Sequence, residues 1–148
     1  MPFRLKPHDL PGRVTTGAYI LHAGLQKWTA DEARAAGVHG MAAGAFPMLK
    51  SIPPTRFVRM LAAGEIATGA ALLSPFVSTA LAGAALTVFS GSLVAMYART
   101  PALHEPGSIW PSPAGIGVSK DVWMLGIGLG FLADASFRAR RRSSGRDE

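Results

Sequence analysis

The sequence contains no cysteine among its 148 residues. Disulfide bonds, thiolate metal sites and dithiol redox chemistry are therefore excluded. Charge is also scarce, since Asp, Glu, Lys and Arg make up 16% of the chain, against roughly a quarter in ordinary soluble proteins. The few charges lie mostly at the edges of long apolar segments. This distribution is typical of a chain that crosses a membrane.

Catalytic and metal-binding signatures are missing as well. No Ser-His-Asp arrangement, phosphate-binding loop or other catalytic motif is recognisable. The four histidines, His8, His22, His39 and His104, are scattered without the spacing of metal ligands. We therefore predict no metal site, and a chain that does not act as an enzyme on its own.

Four apolar segments stand between clusters of Pro, Gly and charged residues: Val14 to Trp28, Thr55 to Leu73, Val77 to Tyr97 and Val118 to Phe137. A helix needs about 20 residues to cross a hydrocarbon core about 30 Å thick. The sequence thus predicts an all-α transmembrane four-helix bundle over residues 13–137. A soluble helical bundle is the alternative, and the lack of a polar stripe on these segments disfavours it.

The connections refine this prediction. Only residues 74–76 separate the second and third segments, which predicts an antiparallel hairpin. Between the first two segments we expect a short interfacial helix, capped by Thr29 or Asp31 and followed by prolines. The third connection is rich in Pro and Gly, and we expect it to be irregular and to fold back over the helices.

The ends of the chain indicate orientation. Residues 1–12 form a short N-terminal tail, and residues 138–148 a basic C-terminal tail with five arginines. A basic tail after an apolar helix is more typical of the cytoplasmic end of a membrane span than of a nucleic-acid-binding arm. Both termini are therefore expected in the cytoplasm, in a multi-pass protein with no nucleic-acid partner. Polar residues interrupt the first apolar segment, which favours a retained helix over a cleaved signal peptide.

One acid stands out in the apolar run RMLAAGEIATGAALL, where Glu65 needs a partner because an unpaired buried charge is expensive. Counting at 1.5 Å per residue places Glu65 about 9 Å below Arg59, and His22 about 8 Å below Lys27. The candidate partners on the first helix are His22, Tyr19 and Lys27. Such a group either fixes helix register or forms part of a site for a quinone or lipid.

Small residues predict how the helices pack. Thr79, Gly83, Thr87 and Gly91 lie four residues apart on one face of the third segment. Gly126 and Gly130 repeat the spacing in the fourth segment and are expected to face a neighbouring helix.

Four stretches together resemble the helices of the DoxX family: GAYILHAGLQKW, RMLAAGEIATGAALL, TALAGAALTVF and SKDVWMLGIGLGFLAD. The resemblance runs from Arg13 to Asp134. It rests partly on Gly24 and Lys27 at the end of the first helix, and on Glu65 and Gly69 in the second. It implies a bacterial inner-membrane protein with four helices, related to the small membrane subunit of a thiosulfate:quinone oxidoreductase. The long Ala-rich stretch between the first two segments departs from the commonest family pattern.

Two functions are consistent with this resemblance. The first is a non-catalytic membrane subunit or partner-binding protein of a redox or oxidative-stress-linked complex. The alternative is a quinone-linked oxidoreductase subunit that binds a quinone or lipid near Glu65, with a partner protein supplying the electron carrier. A small transporter is disfavoured because four helices offer little room and no inverted repeat is visible.

Overall fold

The computed structural model describes residues 6–144, with side chains described to residue 139. The described residues form helices and no strand. The helices are α1 (Leu10–Trp28), α2 (Glu32–Ala45), α3 (Pro54–Leu73), α4 (Thr79–Ala98), α5 (Ile116–Ser119) and α6 (Asp121–Ser144), with 3₁₀ turns at Pro47–Ser51 and Pro101–Leu103. Each predicted apolar segment is thus helical, and α2 occupies the stretch predicted to hold an additional helix.

Helix ends differ from the predicted ones by a few residues. The helix α1 begins before residue 14 because a proline at its first turn needs no intrahelical hydrogen bond there. The helix α6 continues past residue 137, where Arg138 pairs with Asp134 one turn earlier. Asp31 caps α2 by accepting from the Arg34 N–H at 2.8 Å, so it was the correct choice of the two predicted caps. Residues 1–5 and 145–148 of the two predicted tails lie outside the described residues.

Antiparallel helices α1 and α3 form one closely packed pair. A Cβ on Gly24 would lie 2.9 Å from the Cβ of Glu65, and a Cβ on Gly69 would lie 2.7 Å from the Leu21 backbone nitrogen. Both distances are too short for a real side chain, so glycine is required at these two contacts. Backbone approach of this kind is how helices associate when lipid removes the hydrophobic drive between them.

A second antiparallel pair is formed by α4 and α6. As predicted, Gly83 faces the neighbouring helix, where an added Cβ would lie 2.7 Å from the Cβ of Phe131. The prediction for the fourth segment was wrong, because Gly126 and Gly130 have no neighbour within 4 Å and Gly128 packs against Thr87 instead. Residues two apart point to nearly opposite sides of a helix, and the alternating glycines left the contact face ambiguous.

Polar side chains are buried beside an apolar core, and many large apolar side chains are exposed. Buried polar and charged side chains are Asp9, Arg13, Thr16, Glu65, Thr68 and Ser90. Many large apolar side chains are exposed instead, including Val88 at 75%, Trp123 at 70% and Phe137 at 66%. A soluble monomer rarely exposes so much apolar surface, whereas a lipid environment favours it.

Two helical stretches are long and apolar enough to cross a membrane, Thr79–Ala98 and Ile116–Ala139. Only 22% and 11% of their most apolar windows are buried within the protein, which argues against the core helices of a soluble domain. The helices α1 and α3 do not meet the same criterion. They have 19 and 20 residues, but their polar and charged residues lower the mean hydropathy. The predicted bundle of four spans is therefore supported in part.

The Arg13 side chain connects α1 to the turn between α3 and α4, and the residue is only 1% exposed. Its Nε donates to the Leu72 carbonyl at 2.7 Å, and Nη2 donates to the carbonyls of Ala71 and Ser74 at 2.9 and 2.8 Å. Its Nη1 donates to the Val77 carbonyl and to Thr79 Oγ1 at 3.0 and 3.2 Å. All five N–H groups of the guanidinium are thus used.

We predict that Arg13→Lys destabilises the protein strongly, because a lysine has three donors and no planar fork. Each charged hydrogen bond that is not remade costs about 1.5 to 3 kcal/mol. Thermal unfolding in mild detergent measures the effect, with Arg59→Lys as the control at an exposed position of α3. Equal melting temperatures for the two variants would show that the Arg13 contacts contribute little.

Candidate functional site

Glu65 is paired with Lys27. The ammonium Nζ of Lys27 donates to Glu65 Oε1 at 2.8 Å, and the Glu65 side chain is only 6% exposed. The second carboxylate oxygen, Oε2, is buried and has no hydrogen-bond partner among the described residues. One oxygen of the acid is therefore satisfied and the other is not.

The two other predicted partners lie elsewhere. His22 is exposed, and its Nε2 is 3.0 Å from Gln26 Nε2 on the same helix. Tyr19 is 72% exposed and makes no hydrogen bond to Glu65 among the described contacts. The prediction of an α1–α3 polar pair is thus confirmed for Lys27, while His22 does not contact the acid. Binding roles for all four residues stay predictions.

Helix geometry explains this choice. Gly24 packs directly on Glu65 and so marks the face of α1 that meets α3. Lys27 follows three residues later, about 60° from that face, whereas His22 lies two residues earlier, about 160° from it. Tyr19 likewise lies two residues, or about 160°, from Gly17, which packs on α3 about two turns before Gly24. The prediction used only the depth of each residue along the helix, and depth does not show which face of α1 a residue occupies.

A cavity lies beside the ion pair and is lined by residues of α1 to α6. Since Gly24 meets Glu65, α1 ends near the level of Leu61. The first seven residues of α3, about 10 Å of helix, extend beyond it. The helix α2 folds back against this part of α3, and its His39 ring contacts Phe57 edge to face, with centroids 5.5 Å apart.

The resulting cavity has a volume of about 890 Å³, which is within the range of about 300 to 1,000 Å³ of small-molecule sites. Its walls are mainly aromatic and aliphatic, with Phe46, Phe57, Phe89, Leu93, Met96 and Met124 among them. Of the predicted site residues, Tyr19, Lys27 and Glu65 line it, and His22 does not. The structure thus brings three of the four together around one space.

Two further charged residues line the cavity and were missed by the sequence analysis. Asp121 at the start of α6 is half-buried and lies within electrostatic range of both Lys27 and Glu65. Arg34 of α2 also lines the cavity and is exposed. Asp121 lies near the start of the fourth apolar segment, and an acid within an apolar segment was the available signal.

The cavity suits an amphiphilic molecule. Its charged groups are gathered around Lys27, Glu65 and Asp121, and its remaining walls are apolar. This is the usual composition of a small-molecule site, in which apolar walls provide burial and a few polar groups fix orientation. Tyr19 lines the cavity while exposed, so the cavity is open to the surroundings beside α1.

A separate polar cluster lies at the opposite end of the helices. His8, Asp9 and Asp134 place ligand atoms within 4.8 Å of one another, an arrangement that the scattered histidines did not reveal. Arg138 pairs with Asp134 and lies 4.0 Å from Asp9, and Thr79 donates to Asp9 at 3.0 Å. Arg138 neutralises charge on both acids, and the cluster acts as a tie between α1, α4 and α6, although Asp134 Oδ2 is buried without a hydrogen-bond partner among the described residues. The prediction that the chain has no metal site stays a prediction.

Comparison with known proteins gives one family. The sequence model of the DoxX family matches residues 8–98, which contain α1 to α4 and both members of the Lys27–Glu65 pair. The match ends before α6, so it covers the first part of the resemblance noted from the sequence. No curated protein and no solved structure matches the chain.

We predict that stability falls from wild type to Glu65→Gln to Glu65→Ala, because Gln keeps the shape while Ala strands the Lys27 ammonium. Breaking a buried pair costs about 3 to 5 kcal/mol in soluble proteins, and polar contacts inside membranes average about 0.6 kcal/mol. A double-mutant cycle with Lys27→Gln, measured by unfolding in detergent, isolates the coupling. Glu32→Gln on the exposed side of α2 is the control. Wild-type stability in every Glu65 variant would mean that water solvates this acid.

Proposed function

The chain belongs to the DoxX family, and on that premise we propose that it is a small inner-membrane subunit that holds a lipid-soluble ligand for a redox partner. Family membership and the two apolar helices indicate a membrane protein. The observation that carries the ligand proposal is the mainly apolar cavity whose wall contains the buried carboxylate of Glu65.

We propose that α1 and α3 cross the membrane together with α4 and α6. The outward face of α3 after Arg59 consists of Met60, Ala63, Gly64, Ala67, Ala70 and Leu73, all apolar or small. Arg13, Lys27 and Glu65 of these two helices are directed into the protein and are paired, whereas the exposed Arg56 and Arg59 lie in the first two turns of α3, near the proposed membrane surface. His22 and Gln26 contact each other on the outside of α1, which lowers the cost of placing them near lipid.

The proposed orientation follows from the basic C-terminal segment. Cytoplasmic termini place the Arg13 end of the helices at the cytoplasmic side and the cavity toward the outer side. The arginines after residue 137 agree with the positive-inside bias. The bacterial inner membrane is the proposed location, as the family resemblance implies.

A quinone is the proposed ligand class. The residues present fit such a group, because Lys27 and Glu65 offer polar contacts at one end of an apolar cavity. Quinones supply two-electron, two-proton redox chemistry when bound. Within this chain, Lys27 and Glu65 would orient the ring, and the aromatic and aliphatic walls would exclude water from it. With no cysteine in the chain, the proposal assigns the electron carrier to a partner protein.

The second candidate is a partner-binding subunit without a ligand, which the sequence analysis ranked first. One observation favours it: Ile109 and Trp110 in the connection between α4 and α6 are 82% and 71% exposed. This connection is held in place by hydrogen bonds, including that of the Tyr97 hydroxyl to the Ile109 carbonyl at 2.8 Å. An ordered apolar surface of this kind suits a protein partner or the membrane interface.

The proposed topology predicts opposite locations for the C-terminus and the connection near Gly107. Fusions of alkaline phosphatase, which is active only outside the cytoplasm, should be active at Gly107 and inactive at Glu148. Green fluorescent protein fusions at the same sites serve as the reciprocal control. If the two sites lay on the same side of the membrane, the proposed single crossing between them by α6 would be wrong.

We predict that the purified chain in lipid nanodiscs binds decyl-ubiquinone, and that Leu93→Trp weakens binding at least about tenfold by filling the cavity. Leu129→Trp is the control because Leu129 is exposed on α6 and does not line the cavity. Isothermal titration calorimetry measures both dissociation constants.

Absence of binding by the wild type, or equal weakening by the two variants, would contradict the ligand proposal. In that case, recovery of a stoichiometric partner from native membranes in mild detergent would favour the second candidate. Recovery of the chain alone would count against both.

A further inference from the structure

The wall of the cavity contains an acceptor that no described donor satisfies. Glu65 is 5% exposed, and its Oε1 is taken by Lys27 while Oε2 is buried without a partner. Leaving a charged acceptor without a donor in a buried site is strongly unfavourable. The site is therefore complementary to a group that donates a hydrogen bond.

A second carboxylate lies near Glu65 in the cavity wall. Asp121 contributes a second half-buried carboxylate within electrostatic range of Glu65. Lys27 has three N–H donors, of which one is used by Glu65. The other cation, Arg34, is exposed on α2. The group that best fits this surrounding donates one hydrogen bond and accepts another, and a hydroxyl group does both.

These contacts indicate the chemical class of the proposed ligand. We infer, on the basis of the proposed function, that the ligand carries a hydroxyl group that donates to Glu65 Oε2 and accepts from Lys27 Nζ. Phenols and quinols are bound in preference to quinones, because a quinone carbonyl only accepts and leaves Oε2 unsatisfied. An ether oxygen also only accepts hydrogen bonds, so it would leave Oε2 without a donor.

The remainder of the cavity fits an apolar tail. Phe89 and Met124 line it together with Tyr19, which is exposed about halfway along α1. In the proposed membrane arrangement this opening faces the hydrocarbon layer. A tail attached to the hydroxyl-bearing ring can therefore extend into the bilayer while the ring lies against Glu65.

A matched pair of probes tests the inference without any redox reaction: 4-decylphenol and its methyl ether, 1-decyl-4-methoxybenzene. Binding to the full chain in lipid nanodiscs is measured by calorimetry, with empty nanodiscs subtracted for partition into lipid. The phenol is expected to bind at least about tenfold more tightly, as a hydrogen bond to a charged acceptor supplies this much. In Glu65→Gln the preference should fall to about threefold or less, since neutral hydrogen bonds are roughly half as strong.

Asp134→Asn is the matched control, because this acid lies on α6 outside the cavity and should leave the preference unchanged. If Glu65→Gln does not fold, the comparison of the two probes on the wild type still decides the inference. Equal binding of phenol and ether would overturn it and leave the proposed ligand-binding function standing, with Oε2 satisfied by water. Binding of neither probe, together with no binding of decyl-ubiquinone, would overturn both.

Discussion

The position of Arg13 fixes the arrangement of the other helices. The last carbonyls of α3 have no partner within their own helix and need donors from elsewhere. The Arg13 guanidinium supplies the missing donors to Ala71, Leu72 and Ser74, and reaches Val77 and Thr79 at the start of α4. One side chain from α1 thus caps α3, holds the α3–α4 turn and attaches α4. Through Thr79, it is also connected to Asp9 and the end of α6.

The register of α1 against α3 follows from the same constraint. Arg13 and Lys27 are fourteen residues apart, about 21 Å along α1, and each is bound to α3 or to the turn that follows it. Gly17 and Gly24 lie between them on the same face, so the helix cannot rotate or slide without losing both close contacts and charged hydrogen bonds. With its register fixed at both ends, α1 leaves the first turns of α3 uncovered. The helix α2 packs against these turns, and its residues form part of the cavity wall.

The sequence predicted the helices well because their signals are local. Apolar length, proline positions and the Asp31 cap are each read within a few residues, and they located α1 to α4 to within a few residues. The partner of Glu65 depended on which face of α1 meets α3, and depth alone does not give that. The spacing Arg13, Gly17, Ile20, Gly24 and Lys27 carried this information, since it repeats every three or four residues. The cavity and the place of Asp121 in its wall could not be predicted, because they arise only when six separate helices come together.

Two buried charges in one fold can be compared directly, and the comparison separates their roles. Arg13 uses every donor it has, so its burial is fully compensated and a structural role accounts for it. Glu65 uses one oxygen and leaves the other facing no donor, although Gln at that position would fill the same volume without a buried charge. A residue whose only task was to hold α1 against α3 would gain nothing from the unsatisfied oxygen, because Gly24 and Gly69 already provide that contact. The cost of the second oxygen is the physical argument that supports the proposal of a hydrogen-bond-donating ligand at this position.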